Sequence, residues 1–237
     1  MEIIENELVF KTYFDSYKLK FDELKELTED KLPQSLKLFD IRLRLALSLQ
    51  VGFDSSISYT STETTRKTYS LILKLNDLWF AFEGLYTLCS ENSYLKSNST
   101  KSDPFTDQKT TDLMLDDKVL KFGEYLHANT YVNTKIKNDF VSYLQYLKAN
   151  STGTTQLRLL ESFRQKAISD AYPKFNEILS LIYGMRNMYV HSTDTAKSGV
   201  NNYKTKILSL KNCSDFLILV CMSISIKIIE EQILAIE

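Results

Sequence analysis

The sequence predicts an all-α fold, and three observations support this prediction. Apolar residues recur at intervals of three and four along most of the chain, which places them on one face of a helix. The 237 residues include only six glycines and three prolines, so long helices are seldom interrupted. No segment shows the strong alternation of apolar and polar residues that indicates a strand. We therefore expect an antiparallel four-helix-bundle core with additional helices around it.

The predicted helices follow one another in an order that can be read from their apolar stripes. They cover approximately residues 5–29, 33–51, 66–91, 111–127, 134–148, 155–170, 173–189 and 212–236, and the last of them can be preceded by a turn or a further helix. Pro33 fits the first turn of the second helix, and Pro173 begins the seventh. The four helices that we assign to the bundle core are 33–51, 66–91, 173–190 and 212–236.

The chain is expected to form one helical domain over residues 1–237, with residues 1–30 as an N-terminal helical extension. Hydrophobic residues make up 43% of the chain, which is ample for a core. Two polar segments interrupt the helical pattern. The Ser/Thr-rich segment 54–65 is predicted to be a loop, and segment 92–110, which contains Pro104, is predicted to be a mobile loop.

Charge and cysteine usage exclude several classes of protein. A net charge of −1 excludes a generally basic nucleic-acid coat protein, so any contact with nucleic acid must be local. The three cysteines lack metal-ligand spacing, and with no signal-peptide pattern they indicate reduced thiols in a cytoplasmic protein. The apolar run 216–226 is shorter than the roughly 20 residues of a membrane span, so we expect no membrane contact. No Gly-rich phosphate loop, nucleophile elbow or metal-binding cluster is present, and neither cofactor nor metal is expected.

The most informative segment is 186–191, Arg-Asn-Met-Tyr-Val-His, at the end of the seventh predicted helix. Arg186 lies four residues after Ile182 and seven after Leu179, so it shares their apolar stripe. A guanidinium stays protonated in a protein and needs anionic or hydrogen-bonding partners when it is buried. Either a carboxylate inside the protein meets Arg186, or its face opens onto a site that receives an anion.

This segment resembles the signature of the HEPN superfamily, which comprises helical nucleotide-binding and ribonuclease domains of prokaryotic toxin and defence systems. The signature is an Arg, four to six further residues and a His, often with Asn directly after the Arg. The matching residues are Arg186, Asn187 and His191. The resemblance implies a HEPN-like four-helix fold and a homodimer in which two protomers bring their motifs together around a composite cleft. It also implies RNA as the substrate, with an antitoxin or another defence-complex protein as a further partner.

The chemistry of these side chains suits RNA cleavage without a metal ion. Such a reaction needs a base for the 2′-OH proton, an acid for the leaving 5′-oxygen and a cation for the phosphorane charge. Arg186 is the candidate for binding the scissile phosphate, His191 for proton transfer, and Asn187 for orienting the imidazole or holding a phosphate. On a continuous helix, Arg186 and His191 point about 140° apart. We therefore expect them to converge only if the helix ends near Tyr189 or if a second subunit completes the site.

A purely structural role remains open for each of these residues. A histidine at a helix C-terminus can interact with the last carbonyl groups, and an arginine there can cap the edge of a core. Glu83 lies on the apolar stripe of its helix. It either pairs with Arg186 and holds the guanidinium in place, or lies at the edge of the stripe and reaches solvent.

Further candidates come from the segment that follows the motif. After Asp194 the chain carries a run of basic residues without an acidic one, and this run is either a weak RNA-binding surface or a solvated loop and helix start. Its members are Lys197, Lys204, Lys206 and Lys211. Tyr189 lies within the motif and Tyr203 follows it, and both can stack on a base, although most aromatic residues of the chain lie on core stripes. His127 has no partner at ligand spacing and is predicted to be structural.

Taken together, the sequence predicts a metal-independent endoribonuclease of HEPN type that acts as a toxin or in antiviral defence. The alternative is a catalytically silent HEPN-like module that binds a nucleotide or a protein partner in a defence or toxin–antitoxin complex.

Overall fold

The computed structural model describes residues 3–54, 62–131, 133–191 and 195–236, and it describes side chains from residue 10 onward. These residues form ten helices: α1 (Ile3–Leu27), α2 (Gln34–Ser48), α3 (Glu63–Glu91), α4 (Gln108–Met114), α5 (Asp117–Leu120), α6 (Phe122–Thr130), α7 (Thr134–Ala149), α8 (Thr154–Ile168), α9 (Phe175–His191) and α10 (Tyr203–Leu234). The described residues contain no β-structure except one isolated bridge between Thr100 and Asp103. The prediction of an all-α fold is confirmed.

Helix capping explains two differences from the predicted helix boundaries. The region 111–127 is divided into α4, α5 and α6, and Asp107 and Asp116 each accept a hydrogen bond from a backbone amide and so cap the starts of α4 and α5. The last helix begins at Tyr203, well before residue 212, because the side chain of Asn202 accepts from the amide of Lys204. Capping thus places the basic run 204–211 on α10 rather than in a loop.

Helix α3 is central to the larger part of the core. It packs extensively on α2 and on α10, and α1 packs along α10. Helices α3 and α10 run parallel, since Thr65 meets Tyr203 near their starts and Asn92 meets Gln232 near their ends. Helix α1 contributes the fully buried Tyr17 to this core. The grouping therefore differs from the predicted one, in which the motif helix took this position and α1 was an extension.

The motif helix α9 belongs to a second group, which it forms with α7 and α8. The buried carboxylate of Glu177 explains this placement. Glu177 accepts hydrogen bonds from Ser162 and Lys166 of α8 and from the amide of Lys174 at the start of α9. These three bonds tie the beginning of α9 to α8, and a ring contact of 5.5 Å between Trp79 and Tyr183 then connects α9 to α3.

The segment between α3 and α4 lies against both groups of helices. The carbonyl of Ser99 accepts from the Tyr86 hydroxyl at 3.2 Å, and Ser102 and Phe105 are buried. These contacts position the neighbouring Lys101 beside α9. The mobility predicted for this segment stays a prediction, and residues 55–61 of the other predicted loop lie outside the described residues. None of the described helices combines the length and apolar character that crossing a membrane would require.

Asp215 is an unusual carboxyl group on α10. Its Oδ2 atom is buried and has no hydrogen-bond partner among the described residues. Burial raises the pKa of the Asp215 carboxyl to about 6, although Lys211 and Lys74 favour its charged form. This pKa exceeds that of an aspartate in the unfolded chain, which is about 3.9. The protonated Asp215 carboxyl therefore contributes fully to the free energy of unfolding below pH 4, and this contribution is lost as the pH rises through 6.

Asp215→Asn is therefore expected to be more stable than the wild type at pH 8, by about 2–3 kcal/mol, and similar to it at pH 4. Urea unfolding followed by circular dichroism at both pH values measures the difference. Asp15→Asn, on the exposed surface of α1, makes the same change in charge and is the matched control. Equal stability of wild type and Asp215→Asn at pH 8 would show that the Asp215 carboxylate is well solvated.

Candidate functional site

The end of α9 brings Arg186, Asn187 and His191 together within a single protomer. The Nη1 atom of Arg186 lies 3.1 Å from Asn187 Oδ1 and 3.2 Å from His191 Nε2. The expectation that this pair needs a helix end near Tyr189 or a second subunit is wrong, because α9 continues through His191 and the contact still forms. The long, flexible stem of the arginine spans the angle that separates the two positions on the helix.

The hydrogen bonds of Arg186 determine the tautomer of His191 that fits this arrangement. A guanidinium has only donors, so Asn187 Oδ1 and His191 Nε2 must both accept. The imidazole proton then resides on Nδ1, and the lone pair of Nε2 is occupied by the arginine. His191 is exposed to solvent. It follows that Nε2 becomes available for proton transfer when Arg186 turns to a different acceptor.

The surroundings of Arg186 leave part of its hydrogen-bonding capacity unused. Its Nε atom is buried and has no hydrogen-bond partner among the described residues. Its guanidinium carbon lies 6.0 Å from the centre of the Phe80 ring, which is 41% exposed. Arg42 donates to the Phe80 carbonyl at 3.4 Å and so adds a second guanidinium to this surface. An oxyanion that reached Arg186 could accept from the unused N–H donors of the planar guanidinium.

Glu83 does not pair with Arg186, and this part of the sequence interpretation is wrong. Glu83 Oε1 instead accepts from Lys101 Nζ at 2.6 Å and from Trp79 Nε1 at 3.1 Å. The segment between α3 and α4 places Lys101 next to this carboxylate. Glu83 therefore orients Lys101, a residue that lines a cleft next to the motif.

The basic run after the motif does not form one surface. Lys197 and Lys204 are exposed, whereas Lys206 is only 1% exposed, so its assignment to an RNA-binding surface is wrong. Lys206 Nζ donates to the Tyr143 hydroxyl at 2.8 Å and lies 4.3 Å from the centre of that ring. The early start of α10 turns this lysine inward against α7. Lys211 is partly buried on α10.

The two candidate stacking tyrosines, Tyr189 and Tyr203, are partly buried. Tyr189 packs against the hydrophobic core, and the Tyr203 hydroxyl lies 3.3 Å from Thr65 Oγ1 at the start of α3. Tyr189 is thus engaged in core packing, and the Tyr203 hydroxyl contacts α3. Their stacking on a base stays a prediction.

Other reactive side chains of the described chain have structural surroundings. The His127 ring packs against Tyr131 and Tyr172, and burial raises the pKa of the thiols of all three cysteines. The thiols are therefore kept neutral. Within the described residues, no three or more His, Cys, Asp or Glu side chains are grouped so that they could hold a metal ion.

A polar cleft of about 550 Å³ adjoins the motif, and sequence reasoning missed it. Its walls are formed by residues 100–102, by residues 150–156 at the start of α8, and by Tyr183, Gly184 and Asn187 of α9. Asn187 connects the cleft to the motif, because the same side chain accepts from Arg186. The only sequence signal was the small polar run at 151–155 directly before an amphipathic helix.

The geometry of the motif and the adjoining cleft carries the functional interpretation of this chain. Comparisons with protein-family models, with curated proteins and with solved structures found no match.

Proposed function

We propose that the protein is a metal-independent endoribonuclease of HEPN type, acting in the cytoplasm as a toxin or in antiviral defence. The observation that carries the proposal is the hydrogen-bonded group of Arg186, Asn187 and His191 at the exposed end of α9. A guanidinium with an unused Nε donor, next to an exposed imidazole, suits phosphate binding and proton transfer.

The proposed reaction begins with an exchange of hydrogen-bond partners. The scissile phosphate accepts from Arg186, and the arginine releases Nε2 of His191. The freed Nε2 then takes the proton of the ribose 2′-OH as the 2′-oxygen attacks phosphorus. The bond from phosphorus to the 5′-oxygen breaks, a protonated group completes the leaving 5′-OH, and a 2′,3′-cyclic phosphate remains. Asn187 holds the guanidinium against the phosphate, where negative charge develops.

A homodimer supplies the second proton-transfer group. One protomer has a single His191, so a symmetric pair provides one base and one acid. Apolar surface lies beside the motif: Phe80 is 41% exposed and Val190 is 45% exposed. We place the two-fold axis at this surface, because burying both side chains would also exclude water from Arg186.

The dimer is expected to persist at micromolar concentration and to be weakened by Phe80→Ser, which removes apolar contact area without adding charge. Light scattering measures the mass of both proteins over a dilution series. Ile168→Ser is the matched control, because Ile168 is similarly exposed but lies at the end of α8 remote from Gln156 and the cleft. A wild-type protein that stays monomeric even with RNA present would contradict this assembly.

The function is tested by incubating the pure protein with total RNA in the presence of EDTA. Cleavage is expected to continue, and the fragments should end in a 2′,3′-cyclic phosphate and a 5′-OH. The double variant Arg186→Ala/His191→Ala, purified in the same way, controls for contaminating nucleases. Intact RNA after prolonged incubation with the wild type would contradict the proposal.

A binding-only role has one observation in its favour, namely that the Nε2 lone pair of His191 is already occupied by Arg186. A silent HEPN-like module would keep this bond and use the remaining donors to hold a nucleotide, in complex with an antitoxin or another defence protein. Binding of RNA without any cleavage, and with equal affinity in His191→Ala, would favour this second function.

A further inference from the structure

Helix α8 begins at the cleft without a capping side chain. Its first residue is Thr154, and Gly153 at the N-cap position has no side chain that could accept from the first amides. The amides of Thr154, Thr155 and Gln156 have no carbonyl partner within the helix. These donors and the positive end of the helix dipole favour an anion at this point. The same residues line the cleft beside the motif.

Gln156 provides a second and independent observation. Its side chain lines the cleft and is only 5% exposed, yet Nε2 has no hydrogen-bond partner among the described residues. Gly184 of α9 allows this close approach, since a Cβ atom at position 184 would lie 3.3 Å from Gln156 Nε2. The backbone carbonyl of Gln156 accepts from the Ser180 hydroxyl at 3.3 Å, which fixes the start of α8 against α9. A buried amide donor without an acceptor is unfavourable, and a bound oxyanion would satisfy it.

Lys101 supplies the positive charge of the cleft. Its ammonium group has three donors and uses one of them in the 2.6 Å contact with Glu83. Glu83 is the acidic partner of this lysine and holds it at the wall of the cleft. On the opposite wall, Asn187 belongs both to the cleft and to the motif. A ligand that fills the cleft therefore ends next to Arg186.

We propose that this cleft binds a phosphate group, through the first amides of α8, the Gln156 side chain and Lys101. Resting on the function proposed above, we assign it to the phosphate that neighbours the scissile one on the RNA strand. These donors would contact a phosphate of the backbone and not a base edge, so the contact positions the strand and contributes no sequence preference.

The site is tested first with inorganic phosphate, titrated into the full-length ¹⁵N-labelled protein against sodium chloride of equal ionic strength. The largest phosphate-specific shifts are expected at the amides of residues 154–156 and at the side chain of Gln156. Gln156→Glu keeps the size of the side chain but replaces the donor by a carboxylate, and phosphate affinity should fall at least about tenfold. Gln145→Glu, an exposed position on α7, makes the same change in charge and should bind like the wild type.

A surface variant keeps the test valid if Gln156→Glu does not fold. Lys101→Gln removes the charge from a half-exposed side chain, and a several-fold loss of phosphate affinity is expected. Shifts located elsewhere, or equal phosphate affinity in both variants and the wild type, would overturn the site.

The substrate assignment has a separate readout that does not depend on cleavage. An oligonucleotide without 2′-hydroxyl groups should displace phosphate from the cleft in the wild type and in Arg186→Ala. Phosphate binding that such an oligonucleotide does not displace would overturn the assignment to a nucleic-acid strand and leave a site for free phosphate. Displacement in a protein that never cleaves RNA would keep the site and reject the proposed ribonuclease.

Discussion

Arg186→Ala is expected to reduce the rate of RNA cleavage by about 10²–10³-fold, the usual cost of removing a donor that stabilises an oxyanion. The guanidinium is the one group of the motif that can meet the developing charge on phosphorus with two parallel hydrogen bonds. The fold should survive, because the side chain contacts Asn187, His191 and the ring of Phe80 rather than a buried carboxylate. Single-turnover cleavage and a thermal melt measure the two effects.

Two further variants show whether the loss of activity depends on the planar guanidinium and whether it is specific to position 186. Arg186→Lys keeps the charge but loses the planar fork, so it should recover only part of the activity. Arg164→Ala removes a partly exposed arginine that pairs with Glu161 on α8, and it should cleave at the wild-type rate. A folded Arg186→Ala protein with full activity would show that phosphate charge is stabilised elsewhere.

His191→Ala is expected to reduce cleavage by about 10²–10⁴-fold, the range for loss of a general acid or base. His191 is exposed at the end of α9, so its removal should leave the thermal unfolding of the protein nearly unchanged. The chain has only one other histidine, His127, which makes His127→Gln the matched control. That control should retain the wild-type cleavage rate per folded molecule.

The two motif variants should not be additive. If Arg186 releases His191 when it binds phosphate, then neither side chain performs its role without the other. The double variant is therefore expected to cleave no more slowly than the slower single variant. Independent, multiplicative effects would show that the 3.2 Å contact between the two side chains has no part in the reaction.

The sequence predicted those features that depend on local pattern. The periodicity of apolar residues is a property of each segment, and it identified the helical class and the motif helix α9 correctly. Arg186, Asn187 and His191 lie within six residues on one helix, so their proximity follows from local geometry and the length of the arginine. The prediction that Arg186 and His191 would not meet on a continuous helix was wrong, because it considered only the angle between the two positions and ignored the length of the arginine side chain.

Features that depend on distant contacts were not predictable in the same way. Glu83 was expected to meet Arg186 because both lie on apolar stripes, but Lys101 arrives from a segment without helical pattern. Lys206 was read as a surface residue because the cap at Asn202 was not recognised. Gln156 was missed altogether, since its burial depends on how closely α8 approaches Gly184 of α9.

The central claim is that the protein cleaves RNA through the 2′-hydroxyl group of its own substrate, with Arg186 and His191 and without a metal ion. A defined RNA that the wild type cuts at one position tests this claim most directly, when compared in EDTA with the same strand carrying a single 2′-deoxy nucleotide on the 5′ side of that bond. We expect the unmodified strand to yield a 2′,3′-cyclic phosphate and the modified strand to remain intact. Cleavage of the modified strand at the same bond would contradict the claim.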